Sequence, residues 1–236
     1  MGNEPLIVIQ NLVKSFPIGK GKFTALNDIN LSFNQGEFAG LVGPSGSGKT
    51  TLLNIIGALD NPTGGKAVVV GQDTNTLSHY QSSRLRMEHM GFIFQTYNLL
   101  PVYTVFENVE FPLLLLNQSS EKRKKAVMDA LQWVGLTEKV ESRPAQLSGG
   151  ECQRVAVARA MVKQPKIVLA DEPTANLDAA NSYNILDMMA SINRELKTTF
   201  LFATHDDKVI RYLRRKITLM DGKVVEDIET TPTGSK

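Results

Sequence analysis

GPSGSGKT, Gly43 to Thr50, joins a short apolar run, Phe38 to Val42, to a stretch of helical periodicity, Thr50 to Leu59, where Leu52, Ile55, Ile56 and Leu59 fall at i, i+3, i+4 and i+7. The octapeptide fits G-x-x-x-x-G-K-[ST], and a strand before it with a helix after it is the context that pattern needs. Gly43, Gly46 and Gly48 let the backbone curl until successive N–H groups point at one anion, and the helix N-terminus adds its partial positive charge. Lys49 reaches the terminal phosphates, and the Thr50 hydroxyl suits Mg²⁺. Ser45, Ser47 and Thr51 complete the loop residues expected around a nucleotide. The bland alternative, a glycine-rich turn with an exposed lysine, does not call for this flanking pattern.

A phosphate loop needs a metal holder. The run Ile167 to Ala170 is apolar throughout, as a strand buried on both faces requires, and it ends in Asp171 and Glu172. Asp171 would emerge at the strand's C-terminal edge beside the loop, and Glu172 is placed to orient and deprotonate a water in line with a γ-phosphate. By themselves the two acids could equally be a solvated strand end or a helix cap before Pro173. A second apolar run, Phe200 to Ala203, leads to His205, which could reach the γ-phosphate from the far side or be an ordinary loop histidine.

The stretch LSGGECQRVAVARA, Leu147 to Ala160, has Ser148 and Glu151 at capping-box spacing and an apolar stripe of Val155, Ala158 and Val162 behind them. Two successive glycines beside the serine also leave backbone N–H groups open to close approach by an anion. Cys152, the only cysteine, excludes an internal disulfide and reads as a small packing residue rather than a redox sensor.

At 236 residues, 42% hydrophobic and 21% charged, the chain has the composition of a globular protein, and a net charge of +2 gives no footprint of a nucleic-acid binder. The basic run Lys122 to Lys125 reads as the solvated face of a helix whose apolar positions are Val127, Leu131 and Val134, with a phosphate- or lipid-facing patch as the alternative. Apolar stretches such as Leu113 to Leu116 are too short to span a bilayer, so a cytosolic chain that does not cross a membrane by itself is expected. Further strands are expected at 6–9, 67–70 and 91–94. A helix with Ile185, Met189, Ile192 and Leu196 facing inward follows, then a hairpin around Asp221-Gly222 and a frayed tail from Thr230 to Lys236. Residues 96–164 change to helical patterning.

Together these residues resemble the ATP-binding subunit of ABC transporters over nearly the whole chain. Gly43 to Thr50 matches the Walker A loop, Gln95 in FIFQ the Q-loop and LSGGE, 147–151, the family signature. LADE, 169–172, matches Walker B, NLD, 176–178, the D-loop, and His205 the switch histidine. The resemblance implies an α/β fold: a P-loop NTPase (RecA-like) core with an antiparallel β subdomain and an inserted α-helical subdomain. It implies one domain, 1–236, whose core is 1–95 and 165–236 and whose helical subdomain is 96–164. ATP and Mg²⁺ are the implied cofactors, with Thr50, Gln95 and Asp171 at the metal and Glu172, His205 and Gln95 in catalysis. Phe16 would stack on adenine, Asp178 would lie at the nucleotide, and Ser148, Gly149 and Gly150 would bind the ATP held by a second copy. Glu151 replaces the family's usual glutamine, which keeps the cap but adds negative charge near phosphate.

The implied partners are a second copy in the ATP-bound homodimer and integral membrane permease subunits, contacted through Tyr97 to Asn108 unless that stretch is core. No nucleic acid is implied, and the location is cytoplasmic, peripheral on the inner face of the cell membrane. The wording of several motifs looks most like the lipoprotein-releasing and macrolide-export group of bacterial ATPases. ABC ATPases acting on nucleic acid or ribosomes are the alternative; they carry long coiled coils, zinc modules or a second cassette, which this sequence lacks. A small-molecule P-loop kinase would need no signature.

Overall fold

The computed structural model describes residues 4–19 and 21–234. In chain order the elements are β1 (Ile7–Ile18), β2 (Gly21–Phe33), β3 (Phe38–Val42), α1 (Lys49–Ile56), β4 (Gly64–Val69), β5 (Gln72–Asp73), α2 (His79–His89) and β6 (Met90–Ile93). Then follow α3 (Val105–Leu114), α4 (Ser120–Trp133), α5 (Gly149–Met161), β7 (Ile167–Asp171), α6 (Ala179–Leu196), β8 (Thr199–Thr204), α7 (Asp207–Ile210), β9 (Arg215–Met220) and β10 (Lys223–Glu229).

The strands form two sheets. One is antiparallel, in the order β2-β1-β4-β5; the other runs β10-β9-β3-β8-β7-β6, parallel except for the hairpin strand β10. The parallel strands are covered on both faces, which is why β7 and β8 read as unbroken apolar runs. Alternation still sorts their side chains. Leu201 and Ala203 of β8 pack with α1 and the antiparallel sheet, whereas Phe200 and Phe202 join Phe38 and the helices on the other side. The Phe38 ring lies 5.5 Å from Phe200 and 4.7 Å from Phe202, centroid to centroid. This order puts the C-terminal ends of β3 and β7 at one edge, with β8 between them, so the phosphate loop and both acids emerge together.

Several sequence expectations change at element ends. Helix α1 stops at Ile56, because Ala58 turns left-handed (φ 49°) and the N–H groups of Leu59 and Asp60 fold back onto the Asn54 carbonyl. Leu59 is therefore half exposed instead of extending the apolar stripe. Strand β1 runs far beyond Ile9 through irregular steps between Ile9 and Ser15. The tail is not frayed through Thr233: Thr230 N donates to Arg214 O and its hydroxyl to Leu213 O, and Thr233 N donates to Arg211 O. Ser235 and Lys236 lie outside the described residues. At Asp221 and Gly222 both φ angles are positive, 48° and 72°, which matches the twist of a tight hairpin.

Between β6 and β7, α3, α4 and α5 pack together around Val109, Leu113, Val127, Leu131 and Val155. Val105, at the start of α3, is 1% exposed and belongs to this core, while Leu100, Val102 and Tyr103 just before it are exposed. The Lys122 to Lys125 run lies on the outward side of α4, where Arg123 pairs with Glu110 at 2.7 Å.

Candidate nucleotide site

The turn from β3 into α1 is held from behind. Gly222 N donates to Ser47 O at 3.2 Å, and Asn27 N donates to Gly222 O at 2.8 Å, so the β9–β10 hairpin clamps the loop to β2. A Cβ on Gly43 would fall 2.2 Å from Leu219 O, and one on Gly222 would fall 2.6 Å from Ala25 O. Both glycines are thus required by close backbone packing as well as by the turn. Ser47 is buried, and it supplies backbone to the loop rather than a hydroxyl to the cleft.

In front of the loop lies a cleft of about 470 Å³, within the usual range for small-ligand sites, lined by Ser45, Gly46, Gly48, Lys49, Thr50 and Thr51 on one side. Asp171, Glu172, Gln95 and His205 close it opposite, and Phe16, Phe23 and Ala25 form its far end. Lys49 Nζ donates to Gly43 O at 2.7 Å and to Pro44 O at 2.9 Å, tying the ammonium across its own loop. Burial pushes the Lys49 pKa down, against the pull of Glu172 and Asp171. A desolvated cation at a helix N-terminus is ready for an anionic partner.

Thr50 Oγ1 donates to Asp171 Oδ1 at 3.3 Å. Burial raises the Asp171 pKa, partly offset by the Thr50 hydrogen bond. The pair offers hard oxygen donors at the loop mouth. Among the described residues no group of three or more His, Cys, Asp and Glu side chains could hold a metal alone. A carboxylate and a hydroxyl that leave positions for phosphate oxygens and water fit Mg²⁺.

Glu172 sits just past β7 with φ 45°, a conformation costing about 1 kcal/mol for a non-glycine residue. Its N–H is bonded to Ala203 O at 2.9 Å, Thr204 Oγ1 donates to its Oε2 at 3.0 Å, and His205 Nδ1 lies 2.6 Å from its Oε1. Neighbouring β8 therefore holds the strained residue in place and aims its carboxylate into the cleft. Gln95 reaches the cleft from the end of β6, where its carbonyl accepts from Asn176 Nδ2 at 2.8 Å.

Six expected residues do not line this cleft: Gly43 and Ser47, which build the loop behind it, and Ser148, Gly149, Gly150 and Asp178. Ser148 caps α5 in a full capping box, with Glu151 N donating to Ser148 Oγ at 3.2 Å and Ser148 N to Glu151 Oε2 at 2.8 Å. Those bonds hold the Glu151 carboxyl below its usual range and turn it back toward the cap. Ser148 and Gly149 remain exposed. Asp178 caps α6 by accepting from Asn181 N at 2.8 Å. Cys152 is buried and its thiol pKa is raised by that burial, consistent with a packing role.

Sequence reasoning missed several supports. Tyr97 and Asn98, both left-handed, are gripped through their carbonyls by Arg159 of α5, and Tyr97 OH donates to Asn176 O at 3.4 Å. Gln153 Nε2 donates to Pro173 O at 2.6 Å, joining the start of α5 to the acids after β7. These depend on tertiary approach, and no local pattern signals them. Phe23 lies in β2, a strand the sequence reading did not anticipate, and no local pattern marks it as part of the cleft.

A protein-family model described as "ABC transporter" matches residues 26–175. Among curated proteins, "Macrolide export ATP-binding/permease protein MacB" from two strains of Burkholderia pseudomallei, 1710b and K96243, is 40% identical over 223 residues. That match covers 94% of this chain and 34% of each relative, so the chain spans about a third of their length. A dimeric structure of MJ0796, described as a bacterial ABC transporter cassette, is 40% identical with a TM-score of 0.87, covering 94% of this chain and 98% of that one. The same cassette in a dimeric post-hydrolysis state bound to ADP and Pi matches at 39% identity and TM-score 0.86, with the same coverage. CbiO1 from Clostridium perfringens, part of an ABC transporter complex, matches at 26% identity and TM-score 0.86 over 96% of this chain and 89% of that one. With phosphate loop, strand-end acids and histidine around one cleft, and with these similarities along nearly its whole length, the chain belongs to the ABC transporter family as one of its ATP-binding, ATP-hydrolysing cassettes.

Proposed function

We propose that this chain hydrolyses ATP with Mg²⁺ as one of two facing copies and that the resulting motion drives an integral membrane permease, for export, lipoprotein release or mechanical work across the membrane. The observation that carries the reading is the Glu172 carboxylate, held at a strained position on the cleft wall opposite Lys49 and 2.6 Å from His205. The loop N–H groups and Lys49 bind the β- and γ-phosphates. Glu172 orients a water and takes its proton, while His205 steadies that carboxylate and the transferring phosphoryl group. Thr50, Asp171 and Gln95 would hold Mg²⁺, which would supply charge neutralisation at the phosphates. Phe16 supports the base.

Ser148, Gly149 and Gly150 lie away from the chain's own cleft, and we assign the Ser148 hydroxyl and the two glycine N–H groups, with Asp178 beside them, to the ATP of the second copy. The exposed start of α5 and the dimeric cassettes it resembles support this assignment. One ATP-binding domain, 1–236, with a helical lobe at 96–164 that passes motion to the permease, completes the reading.

Support for a permease partner comes from the relatives named ATP-binding/permease proteins, most of whose length lies beyond the match. No helix among the described residues is long and apolar enough to cross a membrane. A peripheral place on the inner membrane face follows from this reading. Its contact surface is the exposed apolar side of α3, Phe111 and Leu114, with Leu115 just after it and Val102 and Tyr103 before it, and not Val105. Purification from membranes in mild detergent tests the proposal: a permease should co-purify with the parent protein and be lost with Leu115→Glu at unchanged ATPase activity. Recovery of nucleic acid or ribosomes in place of a permease would contradict it.

A further inference from the structure

Glu172 and His205 are framed by a chain of contacts that lies outside the cleft. Thr204, the last residue of β8, is fully buried; its hydroxyl donates to Glu172 Oε2 at 3.0 Å and accepts from Asp206 N at 3.0 Å. A threonine hydroxyl has one proton, so accepting from Asp206 leaves that proton for the carboxylate. The bond from Asp206 N back to Thr204 also closes a tight turn around His205, the residue between them, whose Nδ1 lies 2.6 Å from Glu172 Oε1.

Asp206 in turn is fixed at both oxygens. Oδ1 accepts from Lys208 N at 2.9 Å, capping α7, while Oδ2 meets Lys208 Nζ at 2.9 Å and accepts from Thr174 Oγ1 at 2.8 Å. Thr174 is 1% exposed and stands two residues after Glu172. Burial works against ionisation of Asp206, but the Lys208 and Thr174 hydrogen bonds outweigh it and keep the carboxyl below its usual range. Neither Asp206 nor Thr174 lines the cleft. One carboxylate thus ties the turn that follows Glu172 to the turn that carries His205.

We infer that Asp206 is a positioning residue for hydrolysis, which through Thr174 and Thr204 fixes the Glu172 carboxylate against His205 and so governs the rate of turnover rather than the binding of ATP. This rests on the reading of Glu172 as the base. A non-glycine residue at φ 45° keeps that conformation only while its surroundings impose it. Strand β8 holds Glu172 through Ala203 O and the Thr204 hydroxyl, and the bond from Thr174 to Asp206 holds the chain that leaves it. A misplacement of about 1 Å in a reacting geometry can cost about 10²-fold in rate. The phosphate loop forms the opposite wall of the cleft, where affinity for the phosphates is set.

Turnover by phosphate release and ATP affinity by calorimetry, measured in parallel, test this. Thr174→Val removes one hydroxyl and keeps the α7 cap. Its kcat should fall about ten-fold or more with ATP affinity within about two-fold of the parent, and Thr174→Ser should keep parental turnover. Asp206→Ala should lower kcat by about a hundred-fold, and adding Thr174→Val to it should cost nothing further, because both changes break the same contact. Should Asp206→Ala fail to fold, the two Thr174 variants decide alone. Parental kcat in Thr174→Val, with turnover lost in Glu172→Gln, would overturn the positioning role and leave Glu172 as the base. An ATP affinity that falls as far as kcat would mark general damage, and a loss shared by Thr174→Ser would make Thr174 a packing residue. Either result, or losses that multiply in the double variant, would overturn the inference. Parental turnover in Glu172→Gln would remove the base on which it rests.

Discussion

His205 Nδ1 and Glu172 Oε1 are 2.6 Å apart, so the candidate base is already oriented by the residue that follows the neighbouring strand. Thr204 holds the other carboxylate oxygen. Glu172→Gln keeps this shape and removes the basic oxygen. ATP affinity should stay within a few-fold of the parent, while turnover falls by about 10²- to 10⁴-fold in a phosphate-release assay. Turnover near the parental rate would remove Glu172 from the base role.

Lys49→Ala is expected to act on binding. The ammonium that now bridges Gly43 O and Pro44 O would no longer meet the terminal phosphates. Charged hydrogen bonds of this kind are worth about 1.5–3 kcal/mol, so ATP should bind about ten- to a hundred-fold more weakly by calorimetry. Unaltered affinity would count against the loop assignment.

Asp171 sets a stability cost against function. Its pKa in the folded protein is raised, chiefly by burial, so between the ordinary carboxylate range and that raised value the folded state binds more protons than the unfolded one. Stability contributed at this position is therefore present at low pH and lost as pH rises through the window. Without nucleotide, Asp171→Asn should melt above the parent near neutral pH, and the gap should close as pH falls toward about 4. Its ATPase activity should be lost. A lower melting temperature at neutral pH would contradict this account of the carboxylate.

Val105, which opens α3, and Leu115, just past its end, separate core from surface. Val105→Glu would bury an unpaired charge in the helical lobe and should cost about 3 kcal/mol or more in denaturant unfolding. Leu115→Glu, at a 55% exposed position, should change stability by less than about 0.5 kcal/mol. Similar losses in both would mean that α3 is not placed as described.

The phosphate loop, the two acids and the histidine were legible because each ends or follows a strand whose apolar run needs only a short window to read. The capping box at Ser148 and Glu151 was equally local. The end of α1 was not legible, since Ala58 carries no breaker signal and turns only because the Asn54 carbonyl draws the chain back. Nor was the tail, whose polar residues look frayed until Arg214 O and Leu213 O are brought beside Thr230. Val105 sits in an apolar run half of which is surface, and only packing against α4 and α5 divides it. The clamp of Gly222 on Ser47 joins residues 175 positions apart, so a Asp-Gly dipeptide that announces a hairpin says nothing about the loop it supports.

The most direct test of two copies completing each other's sites is the mass in solution of Glu172→Gln, measured by light scattering after gel filtration with and without ATP. A dimer with ATP and a monomer without it are expected, and adding Ser148→Arg should return the ATP-bound protein to a monomer, because the bulky side chain fills space meant for the partner's phosphate. A Glu172→Gln protein that binds ATP yet stays monomeric, or a dimer that survives Ser148→Arg, would contradict the shared site.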